Sequence, residues 1–195
     1  MSLPARLKKE TATAHQNLEK QLVPFMKKVN SAAAYGRLLQ FFYGFTAPAE
    51  HLLDKNLVHH PISYSSQRRK ADWILADLNN LSDYHEKQTF CQNLPDISNA
   101  AEAMGMLYVL EGSTLGGSII AKMLQSKLSH VPEATYQFFE GYKEKTFPYW
   151  NAFRDDLMEL PESQHQACID AANQTFEAFS EWASIQLDPT LKKTI

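Results

Sequence analysis

The stretch Met104–Ile120, MGMLYVLEGSTLGGSII, carries four of the chain's seven glycines between strongly helical flanks. A glycine inside a helix costs about 0.5–1 kcal/mol relative to alanine, so the four together cost about 2–4 kcal/mol. Either close packing of a second helix or a flat ligand lying against the backbone would offset that cost. A phosphate-binding loop is excluded, because no Gly-Lys-Ser/Thr follows the glycines.

These glycines fall on one predicted helix, which we expect to run from a cap at Ser98 to about Leu128. Gly105, Gly112 and Gly116 follow one another at spacings of seven and four residues, and they therefore share a helix face. A face without side chains lets another body approach the backbone closely, and it makes the helix easier to bend. We expect Ser113 to lie near the surface of any ligand bound there.

The rest of the chain has helical periodicity nearly throughout, and no run of strict alternation predicts a strand. We therefore expect an all-α fold, a compact bundle of about seven helices that forms a single domain over residues 1–195. The first helix is predicted from about Pro4 to Leu22, with Pro24 just past its end. Pro48 is predicted to kink or break the second helix.

Composition and charge exclude several classes of partner. The hydrophobic fraction is 44%, which is enough for a full core, and the net charge is -3. Nucleic acid is not expected as a partner, because phosphate binding needs concentrated Lys and Arg. No apolar stretch approaches the ~20 residues of a membrane span. Because Cys91 and Cys168 lack metal or redox spacing, we expect free thiols in a cytoplasmic protein with no membrane association.

His15 is the most chemically loaded residue of the first helix. At ~100° per residue it shares a stripe with apolar positions that should face the core; these are Leu7, Thr11, Leu18 and Leu22. A core histidine, hydrogen bonded to a neighbour, is the plain interpretation of that position. Glu19, one turn on, could instead accept the ring's second N–H and make the imidazole a better metal ligand.

Lys8 lies two turns before His15, in nearly the same direction on a continuous helix. It could meet an acidic edge group of a planar cofactor bound at His15. The alternative for Lys8 and Glu19 is two solvated surface charges.

Other metal or nucleophile sites have weaker signals. No His-Glu-x-x-His motif is present. A di-iron site needs two Glu-x-x-His motifs, and the chain has one such spacing, Glu162–His165. No Gly-x-Ser-x-Gly elbow occurs. Cys168 sits on a predicted helix, where a core position is favoured over a catalytic thiol.

Two of these stretches together resemble a known family. The run LKKETATAHQNLE, residues 7–19, resembles the proximal helix of haem oxygenases. The run LYVLEGSTLGG, residues 107–117, resembles the distal helix of their bacterial, biliverdin-producing branch. A third stretch, Phe138–Tyr142 followed by Thr146 and Trp150–Phe153, is similar to the segment that comes next in those proteins. Order, spacing and helical architecture agree over most of the chain.

The resemblance implies an enzyme for which haem is both substrate and cofactor. O2 and external electrons, from a donor such as a ferredoxin or a flavin reductase, would open the ring to biliverdin, carbon monoxide and iron. His15 would be the axial iron ligand, Glu19 its hydrogen-bonding partner, and Lys8 would meet a haem propionate.

On the distal side, the resemblance implies that Gly112, Gly116 and Gly117 let the helix cross over the haem and flex. It also implies polar contacts at the haem edge from four further residues, which are Tyr108, Lys143, Lys145 and Arg154.

One position departs from the animal enzymes, which carry an aspartate one residue after the first distal glycine. Here that residue is Ser113. We expect the proton path to run through Ser113, backbone carbonyls and water. Two other classes stay open: a haem carrier that does not turn over, and a metal-free helical enzyme or interaction module with His15 in its core.

Overall fold

The computed structural model describes residues 1–81 and 87–187. Within that part of the chain, the regular elements are α-helices joined by short 3₁₀ turns, and there is no strand. No helix there is long and apolar enough to cross a membrane. The helices are α1 (Leu3–Glu10), α2 (Ala12–Lys28), α3 (Ala32–Asn56), α4 (Ala71–Asn79), α5 (Ala100–Gly112), α6 (Thr114–Lys127), α7 (Gln137–Glu140), α8 (Thr146–Met158) and α9 (His165–Leu187).

The predicted all-α class is confirmed, and α5 and α9 form its centre. These two helices share the most extensive packing in the bundle. α1, α2 and α3 also pack against α9, while α6 packs against α7 and α8. The core between them is aromatic and aliphatic, and Trp182 on α9 donates its indole N–H to the Phe41 carbonyl at 2.9 Å.

Gly105 shows why α5 and α9 come so close. A Cβ at this position would overlap the carbonyl oxygen of Cys168 and would stand 3.0 Å from the Cβ of Ala171. The backbones of the two helices therefore touch at a point that only glycine permits. Of the two explanations for the glycine run, close helix packing is the correct one for Gly105.

We expect Gly105→Ala to destabilise the protein by about 1–3 kcal/mol, because the added methyl group overpacks a backbone contact that cannot relax cheaply. Urea unfolding followed by circular dichroism measures the loss. Gly116→Ala is the matched control, since nothing lies within 4 Å of a Cβ there. A Gly105→Ala variant as stable as the wild type would contradict the packing role.

The predicted first helix is two helices. α1 ends at Glu10, and the chain turns at Thr11, whose hydroxyl donates to the Leu7 carbonyl at 2.8 Å. The prediction that Pro24 lies past the helix end is wrong, because α2 continues through it to Lys28. Proline leaves the carbonyl four residues earlier without its helical donor. That carbonyl belongs to the exposed Lys20, where water can take its place.

α3 also runs unbroken through its proline. Pro48 leaves the Gly44 carbonyl without its helical donor, and the backbone N–H of Cys91 donates to that carbonyl at 2.8 Å. A Cβ on Gly44 would overlap the Thr89 carbonyl oxygen, so glycine makes room for this crossing segment. The predicted break at Pro48 is therefore wrong, since a tertiary hydrogen bond replaces the lost helical one.

The long helix predicted from Ser98 to Leu128 is divided at Ser113 into α5 and α6. The Ser113 hydroxyl donates to the Leu110 carbonyl at 2.6 Å, and the Thr114 hydroxyl donates to the Glu111 carbonyl at 2.6 Å. Side chains that compete for backbone carbonyls in this way bend or interrupt a helix. The glycines of α5 and those of α6 consequently do not share one continuous face.

The cap of α5 is also one residue later than predicted. Asn99 accepts from the Glu102 backbone N–H at 3.0 Å, and Ser98 instead donates its own N–H to the Glu102 carboxylate at 2.8 Å. Together the two bonds satisfy two backbone donors at the start of the helix.

Candidate functional site

His15 lies on α2 and is not a core residue. Its side chain is 52% exposed, whereas Thr11, Leu18 and Leu22 on the same stripe are buried. One edge of the ring contacts Phe176 of α9, with ring centroids 5.5 Å apart and planes at 70°. The interpretation of His15 as an enclosed core histidine is therefore wrong. The ring is held on one side and open to a ligand on the other.

Glu19 lies one turn further along α2, as the spacing predicts. Its Oε1 is 3.7 Å from Nε2 of His15, which is within reach of an ion pair and longer than a hydrogen bond. Both side chains are about half exposed, so little resists the small rotation that would close the gap. With one ring nitrogen turned to the carboxylate, the other is left for a ligand.

Lys8 stands on a different helix from His15. It is exposed in the last turn of α1, on the far side of the turn at Thr11. The expected common direction of the two side chains assumed one unbroken helix, and the structure interrupts that helix at Thr11. Lys8 remains on the α1–α2 unit that carries His15.

The three glycines expected to face the ligand have different surroundings. Gly116 is exposed, and nothing lies within 4 Å of a Cβ built on it. The nearest atom to a Cβ on Gly112 is in the Trp150 ring, at 3.7 Å. A Cβ on Gly117 would overlap the Phe139 carbonyl oxygen, so this glycine lets α6 pack on α7. Gly116 is thus the open position, and Gly117 serves helix packing.

Ser113 is tied to a residue that the motifs did not indicate. Arg69 is only 8% exposed, and its Nη2 donates to the Ser113 hydroxyl oxygen at 2.6 Å and to the Leu110 carbonyl at 3.0 Å. The sequence shows Arg69 as one of three adjacent basic residues, which are ordinarily solvated. Its contact with the junction of α5 and α6 is visible only in the structure, because the two segments are far apart in the sequence.

A buried polar cluster lies directly behind this contact. The hydroxyls of Tyr64 and Tyr142 both donate to Oε2 of Glu111 at 2.9 Å. Arg68 donates to Glu50 at 3.1 Å and lies 3.7 Å from Glu111. Burial raises the pKa of Glu50, and the charge of Arg68 opposes that rise. Two arginines, counting Arg69, balance two glutamates, which is what makes their burial tolerable.

The residues expected at the ligand's edge are divided between surface and interior. Lys143, Lys145 and Arg154 are exposed, and Lys143 pairs with Glu140 at 3.2 Å. Tyr108 is half-buried, with its ring centroid 5.6 Å from that of Trp150. Burial raises the pKa of Tyr108, and a hydrogen bond with Thr11 opposes the rise. Tyr108 therefore joins α5 to the turn between α1 and α2.

The competing sites are not supported. Cys168 is fully buried, and burial raises the pKa of its thiol to about 12, so the reactive thiolate is scarce at neutral pH. Within residues 1–81 and 87–187, no three His, Cys, Asp or Glu side chains gather to hold a metal ion. A single imidazole nevertheless suffices for an iron whose other ligands come from a porphyrin.

A polar groove lies on the other flank of α2. It has a volume of about 600 Å³ between α2 and α9, and its lining includes Asn17, Gln21, Asn173 and Glu177. His15 is not part of that lining, and the residues that form it are all polar or small. The groove is therefore a separate feature of the surface, and the candidate site rests on the open imidazole of His15.

Solved structures show to which class the fold belongs. Heme oxygenases from Leptospira interrogans and Neisseria meningitidis superpose with TM-scores of 0.70 and 0.71, each at 20% identity. The alignments cover 94% and 95% of this chain, and 99% and 92% of theirs. Heme oxygenase-1 from the cyanobacterium Synechocystis, solved in complex with heme, gives 0.70 at 20% identity over 99% of this chain and 95% of its own. The fold is that of the haem oxygenase class.

The family follows from the sequence as a whole. The family model described as "Heme oxygenase" matches residues 1–184. A curated heme oxygenase from Xanthomonas campestris is 46% identical over 44 residues, a match that spans 23% of this chain and about a quarter, 27%, of the relative. The chain belongs to the haem oxygenase family of enzymes, as the resemblance of its two helices predicted.

Proposed function

We propose that this protein binds haem and opens its ring in an O2-dependent reaction that yields biliverdin, carbon monoxide and iron. Haem is both substrate and cofactor in this proposal. The electrons come from an external donor, such as a ferredoxin or a flavin reductase. The chain's membership of the family supports the general activity, and the residues around His15 support the particular chemistry.

One observation carries the proposal: the imidazole of His15 is open on one side while the residues of its own stripe are buried. A histidine that served only to fill the core would be buried like the rest of its stripe. An open imidazole beside a carboxylate is instead the arrangement of a metal-ligating histidine with its orienting partner. His15 is the proposed axial ligand, and Glu19 the proposed acceptor of its second N–H.

The surroundings fit a flat tetrapyrrole with acidic edge groups. No atom from outside its own turn of helix lies within 4 Å of a Cβ built on Gly116, so a planar ring could lie against the helix there. Lys8, Lys145 and Arg154 are exposed cations, so they are the proposed partners of the propionates. Lys143 already has Glu140 as a partner, and Tyr108 has Thr11, which makes them weaker candidates.

When bound, haem would supply the iron at which O2 is activated, with electrons from the external donor, and His15 would hold that iron. Gly112, Gly116 and Ser113 are the residues proposed to surround the bound O2. The glycines leave room above the ring. The Ser113 hydroxyl directs its proton to the Leu110 carbonyl, so its oxygen is left to accept a hydrogen bond from water. Protons are therefore proposed to arrive by water held at Ser113.

The proposal is tested by an absorption titration of the purified protein with haemin, followed by reduction with ascorbate or a reductase in air. We expect a Soret band that saturates at one haemin per chain, then bleaching of that band with the appearance of biliverdin. The same amount of haemin without protein is the control for uncatalysed degradation.

Two other results would overturn the proposal in different ways. A Soret band that persists under reduction in air identifies a haem carrier. The absence of any haem spectrum identifies a metal-free member of the fold.

A further inference from the structure

Arg69 lies outside every motif that indicated the site, yet its guanidinium reaches the break between α5 and α6. It precedes α4 and is 44 residues from Ser113 in the sequence. Besides its bonds to Ser113 and Leu110, its Nη1 donates to the Phe138 carbonyl at 3.4 Å. The guanidinium carbon also lies 4.3 Å from the centroid of the Phe138 ring. One side chain thus connects the end of α5, the start of α6 and α7.

The backbone of Arg69 is held as firmly as its side chain. Its N–H donates to the hydroxyl of Tyr142 at 2.7 Å, and that hydroxyl donates in turn to Glu111 at 2.9 Å. Glu111 is the residue directly before Gly112, at the end of α5. Burial lowers the pKa of Arg69, and the charge of Glu111 opposes this. The guanidinium remains charged under all ordinary conditions, because its pKa starts so high.

The break between the two helices depends on these donors. In an unbroken helix the Leu110 carbonyl would accept from the backbone N–H of Thr114. Here it accepts from the Ser113 hydroxyl at 2.6 Å and from Arg69 at 3.0 Å. A charged donor makes one of the stronger hydrogen bonds available to a carbonyl. Arg69 thereby stabilises the bent arrangement against a continuous helix.

We propose that Arg69 is a positioning residue for the haem oxygenase reaction, which holds the break between α5 and α6 and fixes Ser113 as a hydrogen-bond acceptor. This inference rests on the proposed function. Ser113 and Gly116 are both exposed and lie three residues apart, so they face the same region. With its proton on Leu110 and one lone pair on Arg69, the Ser113 oxygen has one lone pair left. It orients a water molecule and does not itself give up a proton.

A double-mutant cycle tests the pair. Ser113→Ala removes the acceptor from an exposed position, so this variant is expected to fold. Arg69→Lys keeps the charge with a shorter reach. We expect each change to lower kcat about tenfold, roughly the value of one hydrogen bond to a charged group, with the haemin Kd changed less than about twofold. The double variant should be no slower than the slower single variant, because both changes remove one interaction.

Ser118→Ala, an exposed serine further along α6, is the matched control and should behave as the wild type. Ser113→Thr keeps the hydroxyl and should recover most of kcat. Losses in kcat that simply multiply in the double variant, or a Ser113→Ala enzyme with wild-type kcat, would overturn the inference. If the wild type itself binds haemin without turnover, the proposed function fails, which the haemin titration shows separately.

A second measurement does not use the loaded enzyme. Amide hydrogen exchange of the haem-free protein reports the stability of the bend directly. We expect Ser113→Ala and Arg69→Lys to change exchange at residues 110–117, with the Thr114 N–H exchanging more slowly because it can regain the Leu110 carbonyl, and with exchange in α9 unchanged. Unaltered exchange at residues 110–117 in both variants would also overturn the positioning role of Arg69.

Discussion

Replacing His15 with alanine is expected to abolish turnover and to weaken haem binding. The open imidazole is the proposed iron ligand, so the substitution removes the bond that is proposed to hold the iron. The variant should fold normally, because a half-exposed ring contributes only its edge contact with Phe176. A haemin titration gives the affinity, and biliverdin formation under reduction in air gives the turnover.

The controls for His15→Ala separate ligation from a general effect on the fold. His51→Ala removes an exposed histidine from α3 and should leave both the Soret band and the turnover unchanged. Added imidazole should restore a low-molecular-weight ligand to the His15→Ala protein and recover part of its Soret spectrum. Wild-type turnover by His15→Ala would eliminate this residue as the ligand, and with it the proposed arrangement of the site.

The second large effect is expected from bulk at Gly116. Gly116→Leu should retain haem and lose oxygenase turnover, because the leucine side chain fills the space above the ring that O2 must enter. The expected loss of turnover does not come from a less stable fold. Nothing lies within 4 Å of a Cβ at Gly116, and replacing a helical glycine with leucine favours the fold by up to about 1 kcal/mol. Biliverdin yield per haemin bound, together with urea unfolding, measures the two effects independently.

Two further variants show that the position of the bulk decides the outcome. Ser118→Leu places the same side chain on an exposed site of α6 and should preserve turnover. Gly117→Ala should instead destabilise the protein, since its methyl group would overlap the Phe139 carbonyl. An unchanged biliverdin yield from Gly116→Leu would refute the steric role of this glycine, whatever the effect of the other two changes.

The glycines illustrate how far the sequence could be interpreted. Their number and helical setting predicted that something must approach the backbone closely, and that is correct for Gly105 and Gly117. Which body approaches each one was not predictable, because the partner backbones, at Cys168 and Phe139, lie on other helices. The common face assigned to Gly105 and Gly116 was wrong for a related reason. Side chains at the Ser113 break interrupt the helix on which that face was drawn.

The candidate site shows the same limit. The i, i+4 spacing of His15 and Glu19 predicted their proximity, since both lie within one helix. Arg69 could not have been found in this way, because 44 residues separate it from Ser113 and its neighbours in the chain are also basic. Likewise, the continuity of α3 through Pro48 depends on a hydrogen bond from Cys91, which no local pattern indicates.

The amino-acid sequence by itself determined the helical class, the family and the spacing of residues within each helix, because periodicity and motif order are properties of neighbouring residues. The tertiary structure alone decided which side of His15 is open, which glycine faces another backbone and which arginine holds the bend. These outcomes depend on atoms that meet across the bundle. Their positions are set by how several helices fill a common core, and no single helix carries that information.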